Sequence, residues 1–280
     1  MNLTGIIEGI AQRGAASAVH NENDYIGADG LWYCGICNKR KQTRITIADK
    51  VMTVPVMCGC EEEAKKAQEA EERRKAIKAQ RSRMRVIGFP DEEMREWTFA
   101  ADDGKNEQLS RVAHNYVDNF GEMRTRGKGL LLWGDVGVGK SFMSACIANA
   151  LIDHGVPCLV TNMTRIINTI SADIDNRQNI LDGLQDYCLL VLDDLGSERD
   201  TDYTGEIVHS IIEQRYRSGK PLIVTTNFAP GALQGGTIRR KRVFSRLTEM
   251  CVPYHVEGAD RRYQCALREN EELKEMLGIV

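Results

Sequence analysis

The sequence predicts an α/β fold, a mostly parallel β-sheet covered by helices on both faces, and three of its features carry that expectation. From about residue 88 onward, short apolar runs alternate with stretches of helical periodicity, the pattern of strands joined by crossover helices. One run opens directly into Gly134-Asp135-Val136-Gly137-Val138-Gly139-Lys140-Ser141, and another ends in the acid pair Asp193-Asp194. A strand feeding a glycine loop and a helix, with a second strand ending in carboxylates, suits a polyphosphate and its cation.

Taken in order, residues 1 to about 30 show weak helical periodicity at Leu3, Ile6, Ile7 and Ile10, followed by a Gly/Asn/Asp-rich loop. Arg44 to Ile47 and Val51 to Met57 read as two short strands joined by a turn at Ala48-Asp49-Lys50. Glu61 to Arg85 is charged throughout and lacks an apolar stripe, so it is expected to be a solvated connecting helix that Gly88-Phe89-Pro90 breaks. Then come a helix near Asn106 to Arg124, a strand at Gly129 to Trp133, a helix at Lys140 to His154 and a strand at Pro157 to Thr161. The alternation continues with helix Met163 to Ile174, strand Cys188 to Leu192, helix Tyr203 to Ser218 and strand Pro221 to Thr225, giving four buried strands. The expected domains are residues 1–60 with a metal site, a helical linker over 61–87, and a nucleotide-binding domain over 88–280.

Composition narrows the function. A hydrophobic content of 42% is ample for a core, and a net charge of −3 gives no global basic field, so any DNA contact must be a local patch. The first twenty residues lack a basic start followed by an apolar core, and no run of eighteen apolar residues occurs. Neither secretion nor a membrane span is therefore expected, and the chain reads as cytoplasmic.

The stretch 134–141 fits GxxxxGK[ST]. Glycines let such a loop curl so that its N–H groups face phosphate oxygens, and the following helix adds its positive end. Gly134, Val136, Gly137, Val138, Gly139, Lys140, Ser141 and Phe142 form the candidate ATP-binding set, with Lys140 reaching the phosphates and the Ser141 hydroxyl on Mg²⁺. Asp193 is placed to hold Mg²⁺, and Asp194 to polarise an attacking water. Asn227, directly after Thr225-Thr226, could orient that water or simply form a turn.

Nine cysteines are present, and four of them, Cys34, Cys37, Cys58 and Cys60, cluster in a spacing that suits a zinc ion gripped by two turns. Four reduced thiols without an ion, a redox CxxC, and His20 as a substitute ligand are the alternatives. Cys146, Cys158, Cys188, Cys251 and Cys265 stand singly among apolar residues. Arg239-Arg240-Lys241-Arg242 is the strong basic cluster of the nucleotide-binding domain, either a track for single-stranded DNA or a solvated helix face, with Phe244 the nearest aromatic.

From about Gly88 onward the chain resembles the DnaC/DnaI-type helicase loaders of bacteria and phages, within the AAA+ class of P-loop ATPases, and the related IstB-type transposition ATPases look similar too. The resemblance rests on GDVGVGKS at Gly134, LLVLDDLG at Leu189, IVTTN at Ile223 and RVFSRL at Arg242. It implies ATP hydrolysis that serves to place a DnaB-type hexameric helicase on single-stranded DNA in DNA replication, or alternatively to assist a transposase. It implies a sensor role for Asn227, an arginine finger at Arg246 offered to a neighbouring subunit, and a second sensor at Arg262, with Arg261 beside it as the competing choice. A zinc-bearing N-terminal domain that grips the helicase is a further implication. Asp194 departs from the Glu of many AAA+ motors, which suggests slow, switch-like turnover. Fewer than forty residues follow Arg246, leaving little room for a helical lid. A small-molecule kinase is disfavoured, because the arginines follow the last predicted strand instead of forming a lid over an acceptor.

Overall fold

The computed structural model describes residues 21–47, 49–198, 201–233 and 237–279, with the side chains of Gln264, Cys265, Arg268 and Glu272 also outside the description. The expected helix around Leu3 to Ile10, His20, the turn residue Ala48 and the surroundings of Cys265 therefore lie outside the described residues. The chain divides into two compact units, 1–79 and 80–280.

In the first unit, β1 (Tyr25–Ile26) pairs antiparallel with β2 (Trp32–Tyr33), and β3 (Gln42–Ile47) pairs with β4 (Lys50–Pro55). The β3–β4 register puts Ile47 opposite Lys50, and Asp49 takes the left-handed conformation (φ 63°) that so tight a turn requires. Helix α1 (Gly59–Gly88) starts at the cysteine cluster and carries i,i+4 pairs such as Glu62–Lys66 at 2.8 Å. The division between the units falls within it. Nearly all of α1 is exposed, as its charge and lack of an apolar stripe demand.

The second unit is the α/β domain. Its elements are α2 (Glu107–Asp118), α3 (Phe120–Arg126), β5 (Gly129–Trp133), α4 (Lys140–Asp153), β6 (Cys158–Asn162), α5 (Met163–Ala172), α6 (Arg177–Gly183) and β7 (Leu189–Asp193). They continue with α7 (Asp202–Ser218), β8 (Leu222–Thr226), α8 (Pro230–Leu233), α9 (Ile238–Met250), β9 (Cys251–His255) and α10 (Arg261–Leu277). The strands lie in the order β6-β7-β8-β5-β9, and every pairing is parallel.

Strand period explains the two-sided core. Leu130 and Leu132 face one cluster with Met143 and Ile147 of α4, while Leu131 faces the other with Ile207 and Ile211 of α7. Each face thus buries aliphatic side chains that contribute about 1.5–3 kcal/mol apiece.

Two expectations need correction. The sheet has five strands in place of four: β9 was missed because Cys251-Val-Pro-Tyr-His carries a proline, and Pro253 is tolerated since β9 lies at the sheet edge beside β5 alone. The helix expected from Asn106 to Arg124 is broken at Asn119, whose amide Nδ2 donates to the Asn115 carbonyl at 2.8 Å and ends α2. No helix among the described residues is long and apolar enough to cross a membrane. The stretch after Arg246 forms β9 and a single long helix, α10.

Candidate nucleotide site and cysteine centre

Sheet order brings the candidate residues together. β8 lies between β5 and β7, so the polar tip of β8 falls between the glycine loop that follows β5 and the acid pair that ends β7. Parallel strands put all three tips on one edge, where ligands of open α/β sheets bind.

The loop leaves β5 at Gly134 (φ 148°), where any side chain would collide with the Val256 carbonyl, so the close approach of β9's exit dictates glycine. Gly139, at φ 98°, turns the chain into α4. Lys140 is 7% exposed, and its Nζ donates to the carbonyls of Gly134 (2.9 Å) and Asp135 (2.7 Å) and to Asn227 Oδ1 (2.8 Å). Burial lowers the proton affinity of its ammonium, an effect that Asp194, Asp193 and Asp135 oppose and Arg262 reinforces. Val136 is exposed at the loop's tip and Val138 is buried beneath it. Phe142 packs against Trp97, with ring centroids 5.9 Å apart, so its side chain belongs to the core.

Thr225 organises the acids, a role that the sequence reading left unassigned. Its hydroxyl donates to Asp193 Oδ1 at 2.6 Å and accepts the Asp194 N–H at 2.8 Å. Asp194 has φ 55°, a left-handed conformation costly for a non-glycine residue, and Asn227 Nδ2 donates to its Oδ1 at 3.3 Å. Lys140, Asn227 and Asp194 thus form one hydrogen-bonded chain across the strand tips. The local signal for Thr225 was present in the Thr225-Thr226-Asn227 cluster, but only the pairing of β7 with β8 shows which acid it serves.

The geometry fits a polyphosphate with a divalent cation: a buried ammonium, a glycine cradle, and on the facing strand a carboxylate with the Ser141 hydroxyl available as a second oxygen donor. Arg261 and Arg262 open α10 beside the loop. The backbone N–H of Arg261 donates to the Gly137 carbonyl at 3.0 Å, and its guanidinium pairs with Asp103 at 3.0 Å. Arg246 is elsewhere, on α9 against α7, where its Nε donates to Glu213 at 3.3 Å and its guanidinium lies 3.9 Å from the centre of the Tyr216 ring. No described contact joins it to its own chain's loop.

In the first unit the sulfurs of Cys34, Cys37, Cys58 and Cys60 all lie within 4.8 Å of one another. A zinc tetrahedron with Zn–S bonds of ~2.3 Å sets its sulfurs about 3.8 Å apart, so the four residues fit that ion. The Cys60 and Lys39 N–H groups pull the Cys37 thiol down to about 6, and the hydrogen bond to Cys37 pushes Cys60 up to about 12. One thiolate therefore forms readily and the next is opposed by it, a repulsion that a dication removes. Lys41, 6% exposed, ties the cluster's flanks together through Asp24 (2.6 Å) and Glu61 (2.7 Å).

A sequence profile of the family described as IstB-like ATP binding protein matches residues 60–260. The chain is 26% identical over 151 residues to the replicative helicase loader DnaI of Bacillus subtilis (strain 168), covering 49% of each chain. It is 27% identical over 130 residues to the replicative helicase loader DnaC of Escherichia coli (strain K12), covering 45% of this chain and 51% of that one. The chain thus spans about half the length of the curated relatives it matches. A crystal structure of DnaI superposes with a TM-score of 0.53 at 25% identity, covering 64% of this chain and 99% of that one. The resemblance carried by the four motifs, and the AAA+ α/β fold it implied, are borne out.

Proposed function

The chain belongs to the IstB-like ATP-binding protein family, and from that premise we propose that it is an ATP-hydrolysing loader that places a hexameric replicative DNA helicase on single-stranded DNA. The names of its relatives support helicase loading. One observation carries the catalytic part: Asn227 bridges Lys140 and Asp194 at the tips of three adjacent parallel strands.

In this reading Lys140 and the 134–141 amides hold the phosphates of ATP, and Ser141 and Asp193 hold Mg²⁺. Mg²⁺ supplies charge neutralisation there, and Asp194 and Asn227 orient the attacking water. Asp193 is kept from turning by Thr225. Arg262 serves as second sensor in this reading, its neighbour Arg261 being engaged by Asp103 at 3.0 Å. Arg246, engaged on α7 and away from its own loop, serves the ATP of a neighbouring copy, so hydrolysis requires self-association. Residues 1–60 grip the helicase and carry zinc, residues 61–87 link, and residues 88–280 form the ATPase; such a loader works in the cytoplasm.

Single-stranded DNA follows the start of α9 at Arg239, Arg240, Lys241 and Arg242. Phe244 is buried and cannot stack on bases, whereas Phe228 is 46% exposed and lines the same cavity of about 570 Å³ between α7 and α9. The resemblance to IstB-type ATPases gives a second reading, an ATPase that assists a transposase. Co-elution of the purified chain with a ring helicase, and phosphate release stimulated by a single-stranded oligonucleotide, are the expected results. Co-elution with a transposase but not with a helicase would select the second reading, and failure of all three would reject both.

A further inference from the structure

The glycine loop is closed on its outer side by two segments from opposite ends of the domain. From one end, residues 102–106 lead into α2, with Asn106 capping that helix through the Leu109 N–H at 3.0 Å. From the other, residues 256–262 leave β9 and enter α10, which Asp260 caps through the Tyr263 N–H at 3.1 Å. Asn106 Nδ2 donates to the Glu257 carbonyl at 2.9 Å, and the Val256 N–H donates to the Trp133 carbonyl at 2.8 Å. Among the described residues, the ion pair that joins the two segments is Arg261 Nη1 with Asp103 Oδ1 at 3.0 Å.

We propose that Asp103 and Arg261 form a clasp across the glycine loop that sets how long a nucleotide remains bound there. Arg261 is a positioning residue. Its backbone N–H holds the Gly137 carbonyl at 3.0 Å, and its guanidinium lies 3.7 Å from where a β-carbon at Gly139 would stand. One residue therefore grips the loop with its main chain and the opposite segment with its side chain. Asp103 is held from its own segment as well: the Lys105 N–H donates to the same carboxylate oxygen at 3.1 Å, and the Lys105 ammonium pairs with the other oxygen at 3.2 Å. Arg261 is 22% exposed and Asp103 is exposed at 40%, so solvent and salt screen the pair in part and its contribution is modest. The adjacent arginines divide the work, since Arg262 adds positive charge at Lys140 and Arg261 spends its charge on Asp103. The proposal rests on ATP occupying residues 134–141.

The test is the dissociation rate of a fluorescent ATP analogue, chased with excess ATP, from the full-length chain. Asp103→Asn and Arg261→Gln each raise that rate about 2- to 5-fold, the range for a partly exposed ion pair. The exchanged pair Asp103→Arg with Arg261→Asp brings it back toward the wild-type value, which a merely structural defect would not do. Thermal melting beside each measurement shows whether a variant folds, and the conservative single variants carry the test if the exchange does not. Equal rates in wild type and both single variants overturn the clasp. A far larger loss from Arg261→Gln than from Asp103→Asn also overturns it, because Arg261 would then be a direct phosphate ligand. A wild-type chain that retains no analogue defeats the nucleotide site itself, a different failure from either of these.

Discussion

Lys140 Nζ and Asn227 Oδ1 stand 2.8 Å apart, so the ammonium of the glycine loop is held by the amide that, through its other end, holds Asp194. In the proposed reading, the residue that meets phosphate and the residue that aligns water are therefore mechanically one unit. A ligand that draws the Lys140 donors onto itself thereby frees one end of the Asn227 amide, and the hydrolytic side of the site feels the occupancy of the binding side.

The same relationship predicts a conflict between stability and binding. Burial lowers the proton affinity of Lys140, so the unfolded chain binds that proton more tightly than the folded one does. Stability then rises with pH from the depressed folded value up to the ordinary lysine value of 10.5. Measured without nucleotide, the wild type gains stability relative to Lys140→Met as pH rises toward 10.5, because the variant carries no proton there to lose. With ATP added, the variant loses about 100-fold or more in affinity, from forfeited charge-assisted hydrogen bonds. Calorimetry over pH 7 to 10 and ATP titration check the two halves; unchanged ATP affinity would remove Lys140 from the site.

Thr225→Val keeps the shape of the side chain and removes the hydroxyl that joins Asp193 to the Asp194 N–H. Leaving that N–H unpaired costs about 1–3 kcal/mol. Losing the oxygen that orients Asp193 lowers hydrolysis about 10- to 100-fold, the usual scale for a partner that steadies a metal-holding group. Urea unfolding and phosphate release read the two effects separately. A variant as active as wild type would show that Asp193 needs no support.

How much of this could be read beforehand follows the range of the interactions. The glycine loop, the acid pair and four of the five strands are local patterns, each set by a few consecutive residues, and they stand where the sequence put them. β9 was hidden because an edge strand with a proline shows no β signature until a neighbour pairs with it. Thr225 and the Asp103–Arg261 pair join residues 32 and 158 positions apart, by subtraction of their numbers, and no spacing rule reaches that far. The four cysteines were legible as a set because metal ligation demands chemistry that few other uses of clustered thiols share.

Among the described residues, no carboxylate pairs with Arg215. It is 0% exposed, and its guanidinium donates to the carbonyls of Tyr187 (3.0 Å), Cys188 (2.9 Å) and Pro221 (3.1 and 2.6 Å), the chain segments that enter β7 and β8. Burial pulls its pKa down to about 10, which leaves it charged at neutral pH. Arg215→Met removes the guanidinium donors from three carbonyls, leaving Pro221 with the Leu190 N–H at 3.4 Å, and destabilises the domain by about 3–5 kcal/mol, measured by urea unfolding. A loss under about 1 kcal/mol would mean that water replaces the guanidinium.

Chelation tests the cysteine centre. The purified chain should release about one zinc ion, since four thiolates complete one tetrahedron. Amide exchange should then accelerate over residues 21–60, where the strands are short and the hairpin faces are largely exposed, while ATP binding by the second unit persists. A chain isolated without metal and still protected over those residues would remove zinc from the account.

Arg246 gives the sharpest test of assembly, because its described contacts, Glu213, Tyr216 and Glu249, lie on α7 and α9, away from its own glycine loop. If it completes a neighbour's site, Arg246→Ala binds ATP normally and hydrolyses it about 10³-fold more slowly. Lys140→Ala is inactive for the opposite reason, holding a good arginine and no ATP. Mixing the two inactive variants should restore part of the activity, since an Arg246→Ala subunit with bound ATP can sit beside a Lys140→Ala subunit whose arginine is intact. A mixture as silent as its components, while each variant still self-associates, would show that Arg246 braces α9 against α7 and nothing more.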